Sequence, residues 1–377
     1  MNIYYQNPKK ILFFAVSFAF IIIILISELL FGKWFTDNKS NNLCILQNVK
    51  LKFKTNTLYD SPSDYANYTR DKYGLRGNYK ICDQINVLTV GGSTTDQRYI
   101  DDTLTWQYLL QDKFHSQKQQ IIIGNAGIDG QTTFGHIKNF DWWFPYVPGL
   151  KPKYIFFYVG INDFMISHES EFDYLSTLEG RTNLPYLIKS NSLFYSIYNK
   201  LKMFYKNRAT FSIVGHYRVD FALQKWTKKP INNIPDSLIQ KYVNLFEYRL
   251  KILIKKANKF NSLPIFITQP ARTYKFVQDS LFGIGDTLLF KNYLVNGIDY
   301  YNIISKYNKA IKNVCKQNNV LFVDVFSSNN WEDSDFYDYV HMNPKGTKKL
   351  AQLIFDGTKS LFYSFERGQN KYNVYNK

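Results

Sequence analysis

Four short stretches of this 377-residue chain hold the residue types that acyl chemistry uses. The first, Gly91-Gly92-Ser93-Thr94-Thr95, follows an apolar run, and its glycines let the backbone turn sharply and leave one hydroxyl projecting beyond the strand. Ser93 is therefore a candidate nucleophile, although a phosphate-binding or structural loop would share the pattern. In Asn125-Ala126-Gly127-Ile128-Asp129-Gly130-Gln131-Thr132 the second glycine, Gly130, could present an unhindered N–H to the same edge. Gly160-Ile161-Asn162-Asp163 offers the Asn162 amide as a donor at the equivalent height. Asp338-Tyr339-Val340-His341 sets a carboxylate three residues before an imidazole. On a single turn that spacing lets Asp338 accept from one ring nitrogen and leaves the other free to act as a base. Taken singly, each block has a bland explanation: Asn162 as a turn cap, Gly130 as a positive-φ position, the Asp-His pair as solvated surface.

These residues need a scaffold that brings four distant turns together. From Gln84 onward the sequence repeats a compact apolar run, a glycine-rich or polar turn, and a helical periodicity, the pattern of a parallel α/β sheet. The runs Ile85–Val90, Ile121–Ile123, Tyr154–Val159, Pro264–Thr268 and Val320–Val325 are β-branched or aromatic, as strands buried on both faces should be, so five central strands are expected. Trp106, Leu109, Leu110 and Phe114 make one buried helical stripe, and similar periodicity over Leu238–Phe260 and Tyr301–Val314 predicts crossover helices. Residues 167–235 and 271–299 follow the third and fourth strands as insertions placed to wall or cover a cleft, with packing elaboration or a membrane-facing surface as the equal alternative. Gln269 and Arg272, just past the fourth strand, stand where a substrate would be touched. His115, His136, His168 and His216 lack comparable context and read as surface or packing residues.

Together the four blocks resemble the SGNH hydrolases, also called GDSL-like esterases and lipases, over Ile85 to about Ile354. The resemblance implies a flavodoxin-like three-layer α/β/α sandwich and a site made of Ser93, Gly130, Asn162, Asp338 and His341. The first block departs from the family's usual Gly-Asp-Ser, with Gly92 where the aspartate stands, which marks a divergent branch similar to envelope-associated bacterial members. In this scheme His341 takes the proton of Ser93 as the hydroxyl attacks an ester carbonyl, and Asp338 holds the imidazole tautomer. The N–H groups of Ser93 and Gly130 and the Asn162 amide would hold the oxyanion, each worth about 3 kcal/mol in the transition state. Nothing in the scheme requires a metal or organic cofactor.

Composition bounds the setting. With 45% hydrophobic and 20% charged residues the chain is too apolar to be mainly disordered. Its net charge of +17 suits anionic partners such as headgroups, anionic polysaccharide or nucleic acid, but is also what AT-rich codons produce without any ligand. Cys44, Cys82 and Cys315 form no zinc-spaced cluster; Cys44 and Cys82 flank the start of the globular part and can pair only in an oxidising compartment. Ile11–Phe31 is long enough to span a hydrocarbon core and too long for a typical signal-peptide core, so an uncleaved anchor is expected. Lys9 and Lys10 before it place the N-terminus, residues 1–10, in the cytoplasm and the rest outside the membrane, where nucleic acid is an improbable partner. Residues 32–83 then read as a stalk leading into the domain, with Val49–Lys54 as a candidate edge strand, 84–363 as the hydrolase-like domain, and 364–377 as a polar tail. The expected function is a serine esterase removing short acyl groups, acetyl foremost, from a cell-envelope or exported carbohydrate. The alternatives are an O-acyltransferase using the same triad and a non-catalytic polysaccharide-binding or assembly subunit.

Overall fold

The computed structural model describes residues 7–35, 45–79, 81–165, 188, 191–206, 210–211, 215–286, 288–290, 293–328 and 331–363. Along the chain run α1 (Pro8–Phe31), β1 (Val49–Lys54), β2 (Tyr65–Arg70), β3 (Val87–Gly91), α2 (Ser93–Asp96), α3 (Trp106–Ser116) and β4 (Ile123–Gly127). There follow α4 (Thr133–Trp142), β5 (Tyr154–Tyr158), α5 (Ile161–Met165), α6 (Leu193–Lys206), β6 (Thr210–Phe211), β7 (Trp226–Thr227), α7 (Asp236–Lys259) and β8 (Leu263–Ile267). The chain closes with β9 (Tyr274–Val277), β10 (Ser280–Ile284), β11 (Leu288–Phe290), β12 (Tyr293–Val295), α8 (Gly297–Gln317), β13 (Leu321–Val323) and α9 (Pro344–Tyr363).

Five strands form one parallel sheet in the order β4-β3-β5-β8-β13. Numbered by appearance this is 2-1-3-4-5, the flavodoxin-like order, whose direction of winding reverses between β3 and β5. Alternation of side chains fills both faces, as strands covered on both sides require. Leu88, Val90, Ile155, Phe157 and Phe266 join Phe140, Phe246 and Ile303 in one core. Val87, Tyr154, Phe156, Ile265 and Ile267 join Trp106, Leu110, Phe114, Leu350 and Ile354 in the other. Helices α4, α7 and α8 thus cover one face and α3 and α9 the opposite one, giving the expected three-layer α/β/α sandwich.

The second strand differs from its sequence reading. The apolar run Ile121–Ile123 only begins it, and Asn125, Ala126 and Gly127, expected in the following loop, are strand residues. At this edge closeness to neighbours replaces hydrophobicity: a Cβ on Gly124 would meet Ile85 and Leu88 at 3.1–3.2 Å, and one on Gly127 would sit 2.2 Å from the Asp96 backbone nitrogen.

Residues read as stalk also behave otherwise. Val49–Lys54 is not an edge strand: it pairs antiparallel with β2 on one side and parallel with β6 on the other. Its Val49, Leu51 and Phe53 pack with Tyr68, Tyr99, Ile100 and Tyr337 in a third core. From β2 and the turn after it, Arg70 and Arg76 reach under the Ser93 helix. Arg70 bonds Asp96 Oδ1 at 2.7 Å and the Gly127 carbonyl at 2.6 Å, while Arg76 donates to the Asp96 carbonyl. Cys82 and Cys315 are buried free thiols, pushed by burial to about 11 and about 12. Cys44 and the tail 364–377 lie outside the described residues.

Among the described residues α1 is the one helix long and apolar enough to cross a membrane, with mean hydropathy 2.7 over its most apolar window and no buried residue. Of the insertions, residues 271–299 fold into the hairpins β9-β10 and β11-β12, and the described part of 167–235 contributes α6, β6, β7 and the segment 215–235.

Candidate active site

Each block lies at the carboxyl end of the sheet, where the strand order reverses and open α/β sheets bind ligands. Gly91 ends β3 against Thr95 and the Tyr158 carbonyl, so closely that a Cβ would stand 2.4 Å from that oxygen. Gly92 caps the single-turn helix α2, and Ser93 is its first residue. The first N–H groups of a helix have no intrahelical acceptor, so the Ser93 N–H and Oγ emerge together.

Ser93 Oγ lies 2.8 Å from His341 Nε2, and His341 Nδ1 lies 2.7 Å from Asp338 Oδ2. The other Asp338 oxygen accepts the Val340 and His341 N–H groups at 2.9 and 2.7 Å, which curls the loop so that its own carboxylate faces its own imidazole. Tyr337 N–H to the His341 carbonyl, 3.0 Å, and the Phe336–Met342 bridge close that loop. Burial alone would push Asp338 up, but the facing His341 ring, His216 beside it and the backbone donor hold its carboxyl far below the usual range. Burial would lower His341, yet the Asp338 carboxylate outweighs it and the imidazole is raised above its ordinary value. The ring is thereby fixed as a donor toward Asp338 and an acceptor toward Ser93.

Asn162 stands beside Gly92, and Gly130 directly precedes Gln131, whose carbonyl the Asn162 amide meets. Gly130 has φ +75°, a conformation glycine adopts without strain. The Asn162 amide donates to the carbonyl of the next residue, Gln131, at 2.9 Å, and its second N–H has no partner among the described residues. A Cβ on Gly92 would lie 2.3 Å from Asn162 Nδ2. Gly92 therefore suits a turn on which the Asn162 amide presses directly.

Gln269 and Arg272, expected as substrate contacts, are committed to protein groups. The buried Gln269 side chain accepts from Ile161 N–H at 2.8 Å and donates to Thr94 Oγ1 at 2.9 Å, tying the third block to the first. Buried Arg272 bonds Asp333 Oδ1 at 2.6 Å and the Trp331 carbonyl at 2.9 Å beneath the loop leading to Asp338. Its value is positional: its backbone N–H donates to the Tyr339 carbonyl at 2.7 Å.

His216, read from the sequence as a surface or packing residue, is at the site. Its Nδ1 is 3.0 Å from the Tyr337 hydroxyl and 3.6 Å from Asp338 Oδ2, and its ring centroid is 4.3 Å from that of His341. Three residues later Val219 N–H donates to the Tyr337 carbonyl at 2.7 Å. Both insertions therefore grip the Asp338–His341 loop, one at Tyr337 and the other at Tyr339. A histidine inside a long insertion has no local spacing to a partner, so no sequence signal pointed to it. His136 is a packing residue, buried against Gln131 Oε1 at 2.8 Å and lowered by burial to about 3; His168 lies outside the described residues. Among the described residues, His216, Asp338 and His341 are also the one cluster of metal-ligating composition, with ligand atoms within 4.8 Å of one another. Asp338 and His341 are, however, already engaged with each other and with Ser93.

A hydroxyl, an imidazole and a buried carboxylate in one hydrogen-bonded line at the carboxyl edge of a flavodoxin-like sheet are the equipment of a serine hydrolase. The model of the GDSL-like lipase/acylhydrolase family matches residues 220–354, which include Asp338 and His341 but neither Ser93, Gly130 nor Asn162. No curated protein matches the chain. Among solved structures it is similar to a psychrotrophic esterase from Pseudoalteromonas sp., at 13% identity and TM-score 0.41, covering 74% of this chain and 99% of that one. It is also similar to a variant of an acetyl xylan esterase from Geobacillus stearothermophilus, at 15% identity and TM-score 0.40, covering 74% and 96%.

Proposed function

We propose that the chain is a serine esterase of the SGNH type, acting on short acyl esters, acetyl foremost, of a cell-envelope or exported carbohydrate. The observation that carries the reading is the single line from Ser93 Oγ through the His341 ring to Asp338. His341, in its neutral form, takes the Ser93 proton as Oγ bonds the ester carbonyl carbon. Asp338 stabilises the imidazolium without itself taking the proton. The carbonyl oxygen becomes an oxyanion bound by Ser93 N–H, Gly130 N–H and the free Asn162 N–H. As the tetrahedral centre collapses, the carbon–oxygen bond to the alcohol breaks and His341 returns the proton to that oxygen. Water, deprotonated by the same imidazole, then cleaves the acyl-serine and regenerates Ser93.

The carbohydrate part rests on aromatic surface beside the site. Tyr217 is 57% exposed, meets Tyr339 edge to face with centroids 6.2 Å apart, and lies near enough to Asp338 for that charge to help raise its phenol after burial. An exposed ring there suits a sugar face. The envelope setting rests on α1 as an anchor, with Lys9 and Lys10 on the cytoplasmic side and the folded body beyond the membrane.

The test is hydrolysis of an acetylated oligosaccharide by the full chain beside Ser93→Ala and His341→Ala. Each substitution should lower kcat by about 10⁴-fold or more with the fold retained. Equal turnover in all three proteins would remove the serine mechanism. The released product tells whether water or an added sugar hydroxyl takes the acyl group.

A further inference from the structure

Glu28 is the sole acidic residue of α1 and stands three residues from its end. At about 1.5 Å per residue, that is about 4.5 Å inside the helix terminus, within the boundary layer of a bilayer for a helix of this length. A bare carboxylate there would be costly. It is not bare: Glu28 accepts from Ser192 Oγ at 2.5 Å, Leu193 N–H at 2.9 Å, Phe194 N–H at 3.3 Å and Trp34 Nε1 at 3.0 Å. The Lys33 N–H also donates to the Asn191 carbonyl at 2.8 Å. The first turn of α6 is thus capped by the last turn of α1, which sets the start of α6 at the depth of Glu28.

Helix α6 has the composition such a depth demands. Phe194, Ile197, Tyr198 and Leu201, spaced i, i+3, i+4 and i+7, form one stripe. These four residues are between 42% and 56% exposed, an unusual concentration of uncovered apolar surface on a globular body. The sequence Leu193–Lys206 carries Lys200, Lys202 and Lys206 and no acid. Apolar and aromatic residues on one stripe, cationic charge without acid, and low overall hydrophobicity describe a helix lying in a membrane interface.

We propose that α6 lies flat in the interfacial layer of the bilayer that α1 crosses, with the Phe194–Leu201 stripe among the outer acyl segments and its cationic charge drawn to anionic headgroups. The inference rests on the reading of α1 as a membrane anchor and goes beyond it, because an anchor alone leaves the domain free to swing. Two attachment lines, one across and one along the surface, hold the chain to the bilayer at both α1 and α6.

The experiment labels Phe20→Cys, Ile197→Cys or Leu223→Cys with a fluorophore in the full chain, each with Cys44→Ser and the buried Cys82 and Cys315 kept, reconstituted in phosphatidylcholine vesicles containing phosphatidylglycerol. Quenchers are attached either near the headgroup or deep in the acyl chain. The expected result is deep quenching at 20, loss of most emission to the shallow quencher at 197, and no quenching at 223, which is 79% exposed on the folded body. Quenching at 20 with none at 197 overturns the proposal while leaving the anchor in place. No quenching at 20 overturns the anchor reading, and this inference with it. A second variant, Ile197→Asp with Leu201→Asp, should abolish shallow quenching of a label at Tyr198; persistence of that quenching would also count against the proposal.

Discussion

His341 is useful as a base only while neutral, and its neighbour determines where that condition holds. Asp338 raises the imidazole above the ordinary 6.5 despite burial, so below that raised value the ring is protonated and cannot take the Ser93 proton. The expected kcat/KM profile therefore climbs with pH through an inflection above 6.5, measurable on any soluble acetyl ester. An inflection below 6.5 would contradict the charge arrangement. His216 touches the same machinery from outside, holding the Tyr337 hydroxyl and flanking Asp338. His216→Ala should lower kcat by up to about a hundredfold through loosened geometry, with KM nearly unchanged, and His216→Gln should restore much of it. Gly92 makes the sharpest residue-level claim. Gly92→Ala puts a methyl 2.3 Å from where Asn162 Nδ2 stands, so the amide must shift from the place proposed for it against the oxyanion. A kcat loss of about 10²-fold, matching that of Asn162→Ala and not adding to it, is the outcome to look for in steady-state kinetics.

Elements far from the site in sequence carry its foundation. The helix bearing Ser93 has only four residues and could not hold itself. It rests on the Asp96–Arg70 pair, whose side chains are 0% and 4% exposed, with Tyr68 donating to the same oxygen at 2.9 Å. Burial pushes Asp96 up, but Arg70, Arg98 and Arg76 outweigh it and keep the carboxylate charged. Arg70→Leu leaves that charge buried without its main partner, and urea unfolding should report a loss of about 3–5 kcal/mol. Arg98 extends the brace to the second block, contacting Asp129 at 3.2 Å. The sheet of β1, β2 and β6 is thus a support for the nucleophile turn, and the two insertions support the histidine loop.

For the whole molecule, the three cores and the five-stranded sheet do not involve α1, whose described side-chain hydrogen bonds, all through Glu28, run to Trp34, Ser192, Leu193 and Phe194. A chain beginning at residue 45 should therefore keep the kcat/KM of the full chain on a small soluble ester. On fractionation it should shift from the membrane pellet toward the supernatant, with any part still held through α6 released by high salt. A truncated chain that sediments unchanged would mean that the anchor is not what holds the protein to lipid, and one that loses activity on the small ester would mean that α1 supports the site.

The sequence by itself determined what depends on local pattern: five buried strands from short apolar runs, crossover helices from stripes such as Trp106 to Phe114, and the Asp338-to-His341 turn from a spacing of three. It also located Ser93 and Asn162 directly behind strands, because the turn ending a parallel strand is short and rich in glycine. Only the tertiary structure decided that β4 continues through Asn125–Gly127, where small residues serve close backbone approach instead of burial. It alone decided that Arg70 and Arg76 brace α2, that Gln269 and Arg272 are already occupied, and that His216 stands beside His341. Those relations join residues from 20 to well over 100 positions apart, and charge and hydrogen bonding across such distances leave no period in the chain. Their partners are chosen by the folded sheet, which brings separate loops to one edge and leaves each polar group to be satisfied by whatever lies opposite.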